Sequence, residues 1–171
     1  MSIVTKKGDS GTTSLFLGGM VAKDDPRVEL DGTLDELCSF LGLAKSLARK
    51  SLLKGRLESI QKDLFVIGAE AATAPPFLNK LNKKIDGNDI KKLEGVIDIL
   101  EARRRPSERV FCLPGKNLIS SVLDVARTVA RRAERRAATA FKKKLVRNGF
   151  ILIYLNRLSD LLYLLARAAE K

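Results

Sequence analysis

The chain has 171 residues, with 32 Lys+Arg against 20 Asp+Glu, no histidine and a net charge of +12. That length fits one compact domain spanning residues 1–171, and 45% hydrophobic with 30% charged residues excludes a disordered or low-complexity chain. Without histidine, imidazole zinc sites, Ser-His-Asp or Cys-His hydrolysis and imidazole general-base chemistry are excluded, so any catalysis here relies on positioning, charge and carboxylates.

The segment from Ser2 to Gly19 is rich in Gly, Thr, Ser and Lys, with β-formers at Ile3-Val4 and Leu15-Phe16-Leu17. It buries little by itself and reads as either a frayed tail or a binding loop. Asp25-Pro26 then reads as an N-cap followed by proline at the first helical position. Leu34, Leu37, Cys38, Leu41 and Ala44 or Ala48 follow at helical spacing. This start is preferred to the capping box Thr33-Leu-Asp-Glu36, with Gly32 tolerated inside the helix. A second helix carries Leu53, Leu57, Ile60, Leu64, Ile67 and Ala71 on one stripe and is ended by Pro75-Pro76. After the turn Asp86-Gly87-Asn88, Ile90, Leu93, Ile97 and Leu100 give a weaker third stripe.

A loop runs from Arg105 to Lys116. The fourth helix is expected to carry Leu118, Val122, Val125, Val129, Ala133 and Ala137 on its apolar face. The fifth, from about Asn148, is apolar nearly all round, as expected of the central helix of a bundle. Phe150 to Ala169 has the length of a membrane span, but Asn156, Arg157, Ser159, Asp160 and Arg167 interrupt it, and a buried bundle helix is the reading taken, with no membrane partner. Long helices with short connections predict an all-α bundle of five helices. Cys38 and Cys112 form no CxxC, as fits a reducing cytoplasm, and no apolar run follows Met1, so no signal peptide is expected.

Four constellations bear chemistry. In Thr5-Lys-Lys-Gly8-Asp9-Ser-Gly11-Thr-Thr13-Ser14, two glycines three apart let backbone N–H groups turn toward one point, while hydroxyls and lysines add donors suited to a polyphosphate. A flexible basic tail explains the same residues. On helix four, Arg127, Arg131 and Glu134 share a side with Asp124, Arg132, Arg135 and Arg136 nearby. Like charges at i and i+4 repel unless an anion lies between them, and guanidinium takes phosphate bidentately. A solvated basic face is the plain alternative. On helix five, Asn156, Ser159, Asp160 and Tyr163 must be paired to one another or to a ligand, and Asp160 could hold Arg131 or Arg127. Asp35, between Leu34 and Leu37, reads as a surface carboxylate or as a partner for an arginine across a subunit boundary.

Taken together, T-K-K-G-D-S-G-T-T-S-L at Thr5 to Leu15, K-D-D-P-R-V-E at Lys23 to Glu29, G-T-L-D-E-L at Gly32 to Leu37, F-C-L-P-G at Phe111 to Gly115, V-A-R-T-V-A-R-R-A-E-R-R at Val125 to Arg136 and Y-L-N-R-L-S-D at Tyr154 to Asp160 resemble the PduO-type ATP:cob(I)alamin adenosyltransferases. The resemblance implies a five-helix, ferritin-like bundle with an extended N-terminal nucleotide loop, assembled as a homotrimer with sites between subunits. It implies transfer of the 5′-deoxyadenosyl group of ATP to cobalamin, with Thr5, Lys6, Lys7, Gly8, Thr13, Ser14 and Lys23 on the nucleotide. Arg131, Arg132, Glu134, Arg135 and Asn156 would complete that site from the adjacent subunit. Phe111 would lie beside the corrin ring, Asp35 would pair with Arg127 across the interface, and Mg²⁺ would be held mainly by phosphates, with K⁺ as a further ion. A reductase and an adenosylcobalamin-dependent enzyme are the implied partners, in the cytoplasm. Met20, Asp31 and Lys116 depart from the family's pattern. The rival from another class is a basic bundle binding nucleic acid through the helix-four arginines and Lys142-Lys143-Lys144. An inactive structural oligomer of the same fold is the third reading.

Overall fold

The computed structural model describes Val4, Lys6, residues 8–106 and residues 112–171. Two short strands, β1 (Thr12–Ser14) and β2 (Met20–Ala22), precede the helices and pair antiparallel, Thr13 opposite Val21. They are not the β-former patches that the sequence suggested. Leu15 instead turns into the core, at 8% exposure, and Leu17 bridges Thr73, with Ala74 N–H donating to the Leu17 carbonyl at 2.7 Å. The segment is therefore stapled to the end of the second helix and is not a loose tail along this stretch.

Helix α1 (Pro26–Leu47) starts where proline at the first position allows it, since proline's missing N–H is one the helix cannot use. The Asp25 carboxylate accepts from the Arg27 backbone N–H and also holds the Arg27 guanidinium, at 2.8 Å. Leu30, Leu34, Leu37 and Leu41 are all but inaccessible, each contributing about 1.5–3 kcal/mol by burial. Helix α2 (Ser51–Ala71) buries Leu57, Ile60, Leu64 and Ile67 and stops before the prolines, which form a 3-10 turn over Pro75–Lys80 that the sequence did not announce. Helix α3 (Gly87–Ala102) opens with an Asp86/Asp89 capping box.

Helices α4 (Leu118–Lys142) and α5 (Gly149–Ala168) form the centre. The apolar face of α4 is rotated from the expected one. Val122, Val129, Ala133 and Ala137 are buried as expected, but Leu118 is 66% and Val125 41% exposed, and Ala126, Ala130 and Ala140 complete the stripe. Small alanines let α1 and α5 pack against α4 on this side. Helix α5 packs against both α3 and α4, α1 packs against α2 and α4, and one apolar core runs through all five helices. Gly149–Ala168 is long and apolar enough to cross a bilayer, but here Ile151, Tyr154, Leu155 and Leu158 are fully buried against neighbouring helices.

Candidate active site

The cationic face of α4 divides between two neighbours. Arg132 and Arg136 turn toward α1 and pair with Glu36 and Glu29. Two of the helix-four arginines named for nucleic-acid binding are thus engaged within the chain. On the other side Glu134 accepts from Asn156 Nδ2 at 3.0 Å, and Asn156 Oδ1 accepts from Arg157, which pairs with Glu94 at 3.1 Å. Arg131 is exposed, and among the described residues its guanidinium has no ion pair; only its carbonyl is engaged, by Arg135 at 3.1 Å.

Arg127 and Arg131 open onto a cavity of about 380 Å³ between α3, α4 and α5, shared with Glu101, Arg104, Asp160 and Tyr163. Asp160 lies in that wall, but no ion pair joins it to either arginine among the described residues. Arg127 instead lies 3.5 Å from Asp124 on its own helix. Arg104 pairs with Glu101 at 2.9 Å and lies over the Tyr163 ring, 5.6 Å from its centroid. Glu101 and Arg104 escaped the sequence reading, although opposite charges at i and i+3 near a helix end were a visible signal.

A second cavity, about 310 Å³, lies between α1 and α2 and is lined by Phe16, Asp31, Asp35, Cys38, Phe65 and Gly68 among others. Asp35 is exposed here, so within one chain it belongs to a different cavity from Arg127. Burial, and then the neighbouring Asp35 charge, push the Asp31 carboxyl above its usual range. Burial likewise raises the Cys38 thiol, which suits an inert side chain.

The glycine loop is held in shape by its own backbone. Gly11 N–H donates to the Gly8 carbonyl at 3.3 Å, and Lys23 N–H to the Gly11 carbonyl at 2.9 Å. Gly11 has φ +79°, a conformation L side chains rarely adopt. A β-carbon at Gly8 would stand 3.3 Å from Lys23 Cε and Nζ, so the end of the lysine lies against the bare backbone there. Gly8, before β1, and Lys23, after β2, thus meet at one end of the hairpin, with Thr13 and Ser14 on β1. Among the described residues no hydrogen bond or ion pair joins this loop to Arg131. Thr5, Lys7 and Phe111 lie outside the described residues.

Fold and site together define an all-α bundle with a cationic cavity and a separate, glycine-bent basic loop. The profile of the cobalamin adenosyltransferase family matches residues 3–169. A corrinoid adenosyltransferase of Citrobacter freundii is 45% identical over 98% of this chain and 94% of its own length. The corrinoid adenosyltransferase PduO of Salmonella typhimurium is 44% identical over 99% of this chain, which spans 50% of that longer protein. A PduO-type ATP:corrinoid adenosyltransferase from Lactobacillus reuteri, solved as a variant with cobalamin and ATP, superposes with a TM-score of 0.90 at 36% identity, covering 99% of this chain and 93% of that one. The chain belongs to the cobalamin adenosyltransferase family.

Proposed function

We infer that this chain transfers the 5′-deoxyadenosyl group of ATP to cob(I)alamin, giving adenosylcobalamin and triphosphate. The observation that carries the reading is Arg131: a guanidinium at a cavity with no ion pair among the described residues, on a helix whose neighbouring Arg132 and Arg136 are paired with Glu36 and Glu29. A cation left so placed suits an anionic ligand.

Co(I) is a strong nucleophile. Its electron pair forms the Co–C bond as the bond from C5′ to the phosphate oxygen breaks, and the departing pair stays on triphosphate. No proton leaves the nucleophile, so no general base is required, in keeping with a chain that lacks histidine. What the protein must supply is alignment and positive charge on the leaving group. In this reading Arg131 and Lys23 stabilise that charge. Thr5, Lys6, Lys7, Gly8, Thr13 and Ser14 line the nucleotide, and Arg132, Glu134, Arg135 and Asn156 complete its site. The Glu134–Asn156 hydrogen bond supports this by fixing both side chains relative to Arg131. Among the described residues no group of three acidic or thiol side chains is placed to hold a metal ion, and Mg²⁺, which prefers oxygen ligands, would be held mainly by phosphates, whose charge it would spread. K⁺ is a second candidate ion.

Phe111 keeps the lower face of cobalt free of axial ligands, which makes Co(II) easier to reduce. Asp35 and Arg127 pair across a subunit boundary in a homotrimer, and their lining of separate cavities within one chain supports that division. The assembly works in the cytoplasm with a reductase upstream and an adenosylcobalamin-dependent enzyme downstream.

The test is ATP with chemically reduced cobalamin, followed by the visible spectrum. Arg131→Ala is expected to lower adenosylcobalamin formation by about a hundredfold or more while helical circular dichroism is retained. Near-normal turnover in that variant would overturn the role of Arg131.

A further inference from the structure

Helical periodicity puts Asp124 nearly opposite the alanine stripe of α4, on what should be a solvated face. It is nonetheless only 4% exposed. Arg167, from the last turn of α5, covers it and pairs with one carboxylate oxygen, Oδ2. The other, Oδ1, lies 3.5 Å from Arg127 Nε. A single buried carboxylate therefore stands between two arginines, one buried and one that reaches the cavity.

Arg167 is itself enclosed. It takes a second carboxylate, Glu170, at 3.1 Å, and its guanidinium lies over the Tyr163 ring at 5.3 Å from the centroid. Tyr163 lines the cavity and holds Arg104 against its ring as well. The chain of contacts Arg127–Asp124–Arg167–Tyr163–Arg104 thus runs behind the cavity wall and returns to it. At 3.5 Å the Arg127 contact is electrostatic and not a hydrogen bond, since the buried Nε has no hydrogen-bond partner. Only the inner edge of that guanidinium is held, and its terminal nitrogens make no hydrogen bond among the described residues.

Removing Asp124 would leave Arg127, Arg131 and Arg167 as mutually repelling cations, and Arg127 would swing toward solvent. We propose that Asp124 is a positioning residue of the transfer reaction, which acts by holding the Arg127 guanidinium at the cavity. The proposal rests on the adenosyltransferase reading above. It adds to that reading a residue that touches neither substrate and places the arginine assigned to the subunit boundary.

The experiment is a double-mutant cycle on the full-length chain, with ATP and chemically reduced cobalamin as substrates and a thermal melt of each variant. Asp124→Asn keeps the shape and removes the charge. It is expected to lower kcat/KM by about ten- to a hundredfold, as misplacement of a site group does. In an Arg127→Ala background the same change should add less than about twofold, because the group it positions is gone. Effects that multiply across the two backgrounds would overturn the proposal, since Asp124 would then act independently of Arg127. So would Asp124→Asn turnover equal to wild type. If Asp124→Asn melts below the assay temperature, Asp124→Glu replaces it in the cycle; it keeps the charge and moves the carboxylate by one methylene, with the same two outcomes. A wild-type chain without turnover would instead overturn the adenosyltransferase reading and this proposal with it.

Discussion

Asp31 shows how one residue can oppose its surroundings. Its Oδ1 lies 2.8 Å from where a β-carbon on Gly68 would stand, so the carboxylate occupies space that only glycine leaves open on α2. Burial and the Asp35 charge raise its carboxyl above the ordinary range. The folded chain consequently holds this proton to higher pH than the unfolded chain does. The group is neutral to stability when both states are protonated, and it destabilises the fold once pH rises through the folded value. Asp31→Asn is therefore expected to melt at a higher temperature than wild type near pH 7, with the difference closing near pH 3, below the ordinary carboxylate range. Equal melting temperatures near neutrality would show that the carboxylate is solvated in place. The sequence marks Asp31 as a departure from its family, but its contact with Gly68 is between helices and has no local signature.

Among the elements, α5 depends on its N-cap residue. The Asn148 side chain accepts from Phe150 N–H at 3.0 Å as N-cap, and its Nδ2 donates to the Ile85 carbonyl at 2.8 Å and to Glu70 at 3.2 Å. Glu70 is buried at the end of α2, where burial raises its carboxyl, and Ile85 N–H is its other donor. One asparagine thus joins three segments. Asn148→Ala is expected to destabilise by about 1–3 kcal/mol, combining a lost cap with a buried acceptor deprived of one donor. A urea titration measures this, and an unchanged midpoint would contradict it. The helices themselves were legible: Asp25-Pro26 and Asn148 each sit at a real start, because caps and proline act over a few residues, whereas the expected turn Asp86-Gly87-Asn88 is the capped first turn of α3. The rotation of the α4 face was not, because Leu118 and Val125 look as apolar as Val122 and Val129, and only the helices that pack on α4 select among them.

At the scale of the whole molecule, the basic loop and Arg131 are unlinked among the described residues, and Asp35 and Arg127 line separate cavities. The subunit-boundary site proposed above would bring such halves together, and this is open to complementation. Lys23→Ala and Arg131→Ala, each inactive alone, are expected to regain about a quarter of wild-type activity when refolded together at equal amounts, since in a closed ring about that share of interfaces pairs an intact loop with an intact helix. No recovery in mixed oligomers would place both halves of the site within one subunit. By itself the sequence determined the helix count, the Asp25-Pro26 start of α1 and the family blocks, all of which are carried by neighbours in the chain or by ordered motifs. Only the tertiary structure decided which arginines remain available: Arg132 and Arg136 are neutralised by α1, Arg127 leans on Asp124, and Asp124 is buried by an arginine 43 residues away. The reason is physical: a charge pattern along a helix lists candidates, whereas the counterions that fold against it come from distant segments and set which cations are left for a ligand.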